Sequence, residues 1–366
     1  MKVALVHDWL IHMRGGEKVL EALAELYPEA VIHTLFYDKN KISETLKKRK
    51  VKTSFLQYLP GIKKYYRWLL PVLPWVVRTL QIKPCDIVIS SSHCVAKGVR
   101  IPKGARHYCY CHTPMRYAWG YEEDYFGKFP RWIRPLIAWI LSSLRKWDFQ
   151  VNASVDRFIA NSENVRRRIE VFYHREAEVI YPPVDLTGFY PDGEPKNYYL
   201  VVSAFVPYKK VDLVIDAFQG LDRELWIVGS GPLEEVYRRK AKETGGSKVR
   251  FLGVVQAEEL RKLYSEARAV IFPTDEDFGI VPLEAQACGT PVIAFKKGGA
   301  LESVMNGLFF EEQSPGAIRE KILDFETKTW ERGNVPGDIR DFDKPCFKEE
   351  MLGLIEEDNP VADADN

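Results

Sequence analysis

Residues 270–294 read Val270-Ile271-Phe272-Pro273-Thr274-Asp275-Glu276-Asp277-Phe278-Gly279-Ile280-Val281-Pro282-Leu283-Glu284-Ala285-Gln286-Ala287-Cys288-Gly289-Thr290-Pro291-Val292-Ile293-Ala294. A short apolar run, Val270–Phe272, leads into an acidic loop with a glycine. A helical run from Leu283 to Ala287 follows, and then a second apolar run, Val292–Ala294. Short apolar runs separated by a helix read as parallel strands joined by a crossover. Pro282 suits the first turn of that helix. A glycine turn that opens a helix exposes backbone N–H groups, and these bind phosphate. Glu276 and Glu284 stand eight positions apart on either side of the turn. A carboxylate placed there can accept from two sugar hydroxyls. An ordinary strand–loop–helix connection with an acidic cap has the same pattern. Further on, Lys297-Gly298-Gly299-Ala300-Leu301-Glu302 forms a second glycine loop, which can present amides to a phosphate or simply turn the chain.

The alternation extends along the whole chain. Strand-like runs lie at 3–7, 31–36, 87–91, 107–111 and 158–161, and again at 199–205, 225–228, 249–252, 270–272 and 292–294. Helical runs intervene at 17–27, 211–218, 233–243, 258–267 and 283–287. The first strand is followed by Gly15-Gly16 at a helix start. Tyr181-Pro182-Pro183-Val184-Asp185 to Pro195 is rich in Pro, Gly and Asp and reads as a linker. The expected fold class is therefore α/β, with two Rossmann-like domains at 1–185 and 186–340. Residues 341–366 are expected to form a C-terminal helix packing back on the first domain, plus an acidic tail disordered from Glu356. Ligands of such sheets bind at the carboxyl ends of the strands, which places a site in the cleft between two facing domains.

Composition narrows the function. The chain has 366 residues, 46% apolar and 28% charged, with a formal net charge of +1, which excludes global disorder and a dedicated nucleic-acid binder. Six cysteines without a CxxC pair suggest a reducing compartment rather than a disulfide scaffold. The first residues read as a strand rather than a signal peptide. The uncharged, aromatic-bearing stretches Trp68–Val77 and Pro135–Leu144 have ten residues each, about half of what spans a bilayer. The expectation is a cytoplasmic chain, soluble or peripheral on a membrane. Charge is unevenly placed. Lys41 to Lys83 holds eleven Lys or Arg against the single acid Glu44, interleaved with Phe55, Tyr58, Tyr65, Tyr66, Trp68 and Trp75. Phe129 to Trp147 repeats the pattern with Arg131, Trp132, Arg134, Trp139, Arg145, Lys146 and Trp147. Basic residues beside large aromatics suit a membrane interface, and two core helices with solvated basic ends give the same composition.

With these segments in hand, a resemblance emerges. Ser203 to Asp212, Val228-Gly229-Ser230-Gly231-Pro232, Phe251-Leu252-Gly253 and the run Phe272 to Val304 together resemble the C-terminal half of retaining GT-B glycosyltransferases of family GT4. Glu276 to Glu284 matches that family's E-x7-E signature. Arg14-Gly15-Gly16-Glu17, Asn161-Ser162 and Tyr181-Pro182-Pro183-Val184-Asp185 extend the likeness into the first half, so it covers residues 1 to about 325. His112-Thr113-Pro114-Met115-Arg116-Tyr117 resembles the WbaZ-like mannosyltransferases that build bacterial O-antigen and exopolysaccharide.

The resemblance implies an acceptor-binding first domain and a donor-binding second one. It implies that Glu284 binds the nucleotide ribose, that Glu276 faces the donor sugar, and that the backbone of Phe278-Gly279-Ile280 holds the diphosphate. Lys209, with Lys210 beside it, would neutralise the phosphates. His93 would lie against the sugar, Gly15 and Gly16 would close over the diphosphate, and Gly253, Val254 and Val255 would touch the base. The implied reaction moves mannose from GDP-mannose to a lipid-linked glycan, with no metal or other cofactor. A UDP-hexose donor is the alternative on the same fold, and a weakly active sugar-nucleotide-binding scaffold is the alternative in another class. Two departures stand out: Ala204 occupies the place of a phosphate-binding arginine, and the loop at Val304–Leu308 is short.

Attack from the leaving-group face, with the phosphate oxygen taking the acceptor proton, accounts for retention. A double displacement on Glu276 is the other route. Asp8, His112, Arg116 and Tyr117 are candidate acceptor-side residues; Arg suits a lipid phosphate. His107, Cys109 and Cys111 alternate on a strand and share one face, so they admit a zinc site as well as plain burial.

Overall fold

The computed structural model describes residues 1–120, 126, 129–243, 248–330, 333 and 335–359. The chain divides into two compact units. The first comprises residues up to 183 and those from 344 onward; the second is Val184–Asp343.

Unit 1 is built on seven parallel strands: β1 (Val3–His7), β2 (Val31–Thr34), β3 (Val51–Thr53), β4 (Ile87–Ser92), β5 (Arg106–Cys111), β6 (Arg157–Ala160) and β7 (Ala177–Val179). Their spatial order is β3-β2-β1-β4-β5-β6-β7. Alternate residues of each strand feed opposite faces. Leu5 joins a buried cluster with Leu23, Ile89 and Tyr108, while Val6 joins another with Phe36 and Val88. Helices therefore cover both faces, as a parallel sheet requires. Unit 2 repeats the plan with β8 (Tyr198–Val202), β9 (Glu224–Val228), β10 (Val249–Gly253), β11 (Ala269–Phe272), β12 (Val292–Phe295) and β13 (Gly307–Phe310), in the order β10-β9-β8-β11-β12-β13. Tyr199 and Val201 pack on one face, Tyr198 and Leu200 on the other. In each sheet the strand order reverses once, between β1 and β4 and between β8 and β11. Loops leaving two such strands diverge to opposite faces and leave a crevice at the carboxyl ends.

Sequence patterning missed β3, β7 and β13. All three are edge strands. β3 (Val-Lys-Thr) and β7 (Ala-Glu-Val) are three residues each and too polar to stand out as apolar runs. In β13, Gly307 is required by close approach: a Cβ there would lie 1.9 Å from the Val292 carbonyl oxygen.

The C-terminal helix, Lys344–Asp358, belongs to unit 1. Phe347, Met351, Leu354 and Ile355 enter the cluster that holds Leu5 and Tyr108. The expectation of disorder from Glu356 is corrected here: Glu356–Asp358 are the last helical turn, and Asp358 accepts from the Arg157 guanidinium at 2.8 and 3.0 Å. The remainder of the acidic tail, 360–366, lies outside the described residues.

Because Phe347 is fully buried against Tyr110 at 5.7 Å, Phe347→Ala is expected to cost about 3–5 kcal/mol. The check is a lower denaturant midpoint with an unchanged slope.

Candidate active site

Unit 1 gathers its polar side chains where the strand order reverses. Asp8 follows β1 and is fully buried. Its carboxylate accepts from four consecutive backbone N–H groups of the loop after β4: His93 (2.8 Å) and Cys94 (3.1 Å) on Oδ2, Val95 (2.6 Å) and Ala96 (2.8 Å) on Oδ1. The His93 ring adds Nδ1 at 3.1 Å from Oδ2. A buried carboxylate persists only when it is satisfied in this way. His93 is thereby held at the mouth of the crevice, half-buried, with Trp9 edge-on at 4.7 Å.

His7, His93 and His112 form a triangle, with ring centroids 6.1 to 6.4 Å apart. Ser91 Oγ bridges two of them, at 3.0 Å from His7 Nδ1 and 2.8 Å from His112 Nε2. A hydroxyl has one proton, so it donates to one ring and accepts from the other, and the two tautomers are linked. Burial pushes the His7 and His112 imidazoles down to about 3, with neighbouring His93 acting in the same direction. Both are therefore neutral at physiological pH. Gly15 and Gly16 begin the helix Gly15–Leu26, and a Cβ on Gly16 would lie 3.4 Å from His112 and 3.6 Å from His7. Glu17 is buried in the same turn, accepts from the Arg14 N–H at 3.0 Å, and burial raises its carboxyl above the usual range.

Unit 2 assembles a second polar set at its own reversal point. Lys209 follows β8 and Glu276 follows β11, so they flank the crevice, and Lys209 Nζ is paired with Glu276 Oε1. Thr274 Oγ donates to the Lys209 carbonyl at 3.2 Å and fixes the first loop to the second. The helix Ile280–Ala287 opens at Gly279, whose φ of +149° favours glycine. It starts three residues earlier than the pattern indicated, four positions after Glu276. Gly298 (φ +66°) is equally constrained, since a Cβ would meet the Glu276 carbonyl oxygen at 2.2 Å. The Gly299 N–H donates to that same oxygen at 2.8 Å. The second glycine loop is therefore a clamp on the backbone of the first. Glu284 is buried on the helix and accepts from Tyr264 Oη at 3.0 Å.

Each residue singled out from the sequence can now be placed. His93, His112, Gly15 and Gly16 converge in unit 1. Lys209 and Glu276 pair in unit 2, and Gly279, Ile280 and Glu284 lie on the loop and helix that follow Glu276, with buried Phe278 packed 5.7 Å from Phe342. Lys210 adopts φ +52° and caps the next helix, so it turns the chain beside Lys209. Gly253 ends β10, with Val254 exposed and Val255 packed against the unit's second cluster. Ala204 is exposed after β8. Arg116 and Tyr117 are half-buried on the loop after β5, with Tyr117 against the core.

One expectation changes. Asp8 has no surface to offer an acceptor; its oxygens are consumed in holding the His93 loop. Of the two readings of His107, Cys109 and Cys111, the structure shows burial. His107 uses Nε2 on Ser90 Oγ and Nδ1 on the Ser154 carbonyl, both at 2.8 Å, while Cys109 and Cys111 face an apolar cluster. Sequence reasoning passed over Ser91 and Glu17. The run Ser90-Ser91-Ser92 at a strand end was the available signal for Ser91, since polar residues there face a crevice.

Residues 13–187 match the family model "Glycosyltransferase Family 4", and residues 190–335 match "Glycosyl transferases group 1". An uncharacterized glycosyltransferase of Methanocaldococcus jannaschii is 32% identical over 46% of this chain and 49% of its own length. The O-antigen chain mannosyltransferase C of Escherichia coli is 30% identical over 40% of this chain and 43% of its own. The alignments thus span under half the length of these curated relatives. The Anabaena protein HepE, solved with UDP and glucose, superposes with a TM-score of 0.69 at 17% identity, covering 97% of this chain and 99% of that one. The fold is that of the GT-B glycosyltransferases. The two family matches, one on each half of the chain, together support a family 4 glycosyltransferase.

Asp8→Asn puts an amide donor where only acceptors are useful. It is expected to destabilise unit 1 by about 2–5 kcal/mol and to speed amide exchange at residues 93–96, measured by hydrogen–deuterium exchange. The histidines give a second expectation. Their folded pKa values lie below the unfolded one, so the unfolded chain binds more protons and stability falls as pH drops from about 6.5 toward 3. Each contributes a slope approaching about 1.4 kcal/mol per pH unit. Denaturation series between pH 7 and 5 should register this loss.

Proposed function

We propose that this chain is a retaining glycosyltransferase that moves mannose from GDP-mannose to a lipid-linked glycan acceptor in O-antigen or exopolysaccharide assembly, at the inner face of the cell membrane. The observation that carries the reading is the Lys209–Glu276 pair across the reversal point of unit 2, beside the open start of the helix Ile280–Ala287. Cleaving a sugar–diphosphate bond builds charge on the leaving phosphate as the sugar becomes cationic. Lys209 and the N–H groups following Phe278 and Gly279 supply fixed positive charge at that point and call for no metal. Glu276 exchanges Lys209 for sugar hydroxyls when the donor binds, and Glu284 takes the ribose. The segment Gly253-Val254-Val255 lines the base. From unit 1, His93 meets the sugar, Gly15 and Gly16 approach the diphosphate, and His112 with Arg116 and Tyr117 serves the acceptor. Attack occurs on the face the phosphate leaves, with a phosphate oxygen accepting the hydroxyl proton.

The E. coli relative's name supports mannose and O-antigen. The UDP and glucose in HepE support a second reading with a UDP-hexose donor. Exposed Ala204, in the place of a phosphate-binding arginine, supports a third, a weakly active scaffold.

A thermal-shift panel of GDP, UDP, ADP, CDP and dTDP with their sugars separates the three. A ligand at 100 times its dissociation constant adds about 2.7 kcal/mol. The expected outcome is stabilisation by GDP and GDP-mannose alone, lost in Glu284→Ala. Preference for UDP would replace the donor, and no response to any nucleotide would put the scaffold first.

A further inference from the structure

Apart from Met1 and Val171, every large apolar side chain that unit 1 leaves exposed among the described residues lies between 55 and 75 or between 132 and 149. Four are tryptophans: Trp68 is 73% exposed, Trp75 65%, Trp132 80% and Trp139 68%. A contiguous patch of this kind marks an interaction site. The two stretches form one surface. Beneath them, Tyr66, Leu70 and Leu73 share a single buried cluster with Leu141 and Leu144. At the surface, Trp68 meets Phe129 at 6.3 Å and Phe55 meets Trp75 at 5.7 Å. On the helix Arg134–Gln150, Leu136 and Trp139 continue the line from Trp132.

The charge is equally one-sided. Lys64, Arg78, Arg131 and Lys146 are exposed on these stretches, and residues 129–147 contain no carboxylate at all. We propose that this face docks onto an anionic phospholipid bilayer, with the indoles of Trp68, Trp75, Trp132 and Trp139 at headgroup depth and the flanking Lys and Arg on lipid phosphates. Indoles favour that depth because one end is apolar and the other donates a hydrogen bond, and basic side chains snorkel to the phosphates. No described helix is long and apolar enough to cross a membrane, so the contact lies in the interface plane. A second copy of the chain is a poor occupant. A twofold contact would set basic face against basic face.

The docking helix is also tied to the His93 loop. Lys97 Nζ donates to the Asp148 carbonyl at 2.7 Å and to Asn152 Oδ1 at 2.6 Å, and Gly98 has no room for a Cβ beside Trp147, which would stand 2.4 Å away. The helix of the proposed membrane contact and the His93 loop are thus bonded to each other within unit 1.

Co-sedimentation of the full chain with vesicles tests the inference, and it does not involve any sugar nucleotide, so its failure is separate from that of the donor reading. The chain is expected to bind phosphatidylglycerol-containing vesicles, to lose affinity in high salt, and to leave pure phosphatidylcholine vesicles largely free. Trp132→Ser with Trp139→Ser should weaken binding by about tenfold or more, with an unchanged melting temperature because both rings are exposed. Absence of binding, or equal binding by the variant, would overturn the proposal. So would a vesicle-free dimer, seen by sedimentation velocity, that the double variant abolishes.

Discussion

The carboxylate of Asp8 is the point from which unit 1 is organised. It leaves the end of β1, buried, and takes four successive N–H groups from the loop after β4. Those donors would otherwise be stranded where the sheet diverges, and the charge would otherwise be stranded in the interior. Each solves the other's problem. The loop so fixed presents His93 at one end and Lys97 at the other. His93 faces the crevice, while Lys97 is buried with Asp148 at 2.9 Å and anchors the long helix that bears the exposed tryptophans.

Unit 2 reaches the same end by different means. Its diverging loops are joined by an ion pair, Lys209 with Glu276, and by the glycine loop that grips the Glu276 carbonyl. The pair is half-open rather than buried, so a ligand can exchange for it. This contrast fits the work assigned to each unit. A loop that positions one imidazole benefits from permanence; under the proposed function the other loop releases its carboxylate to sugar hydroxyls, and there permanence is no benefit.

Much of this was legible in the residues. Alternating apolar runs and helices fixed two parallel sheets, and Phe272 to Val304 placed Glu276, Gly279 and Glu284 in one loop and helix. The short edge strands escaped because three-residue stretches such as Val-Lys-Thr carry no periodic signal. Asp8 was read as an acceptor contact because a sequence does not reveal that four amides 85 or more positions away converge on it. Ser91 was silent for the same reason, since its role depends on His7 and His112 arriving from two other strands. The final turn of the C-terminal helix looked like acidic tail until Arg157 was seen to hold it. What local pattern encodes was readable; what register between distant strands creates was not.

Under the proposed function, the polar sets of both units serve one sugar-transferring enzyme. The direct measurement is transfer itself. Purified protein would be incubated with radiolabelled GDP-mannose, or with labelled UDP-hexoses, and a bacterial lipid extract carrying lipid-linked glycans. Label is expected to move from a single sugar nucleotide into the glycolipid fraction, and to stop doing so in Lys209→Ala and in His93→Ala proteins that retain their melting temperature. Label that reaches no lipid from any donor, or that moves as well with both variants, would contradict it.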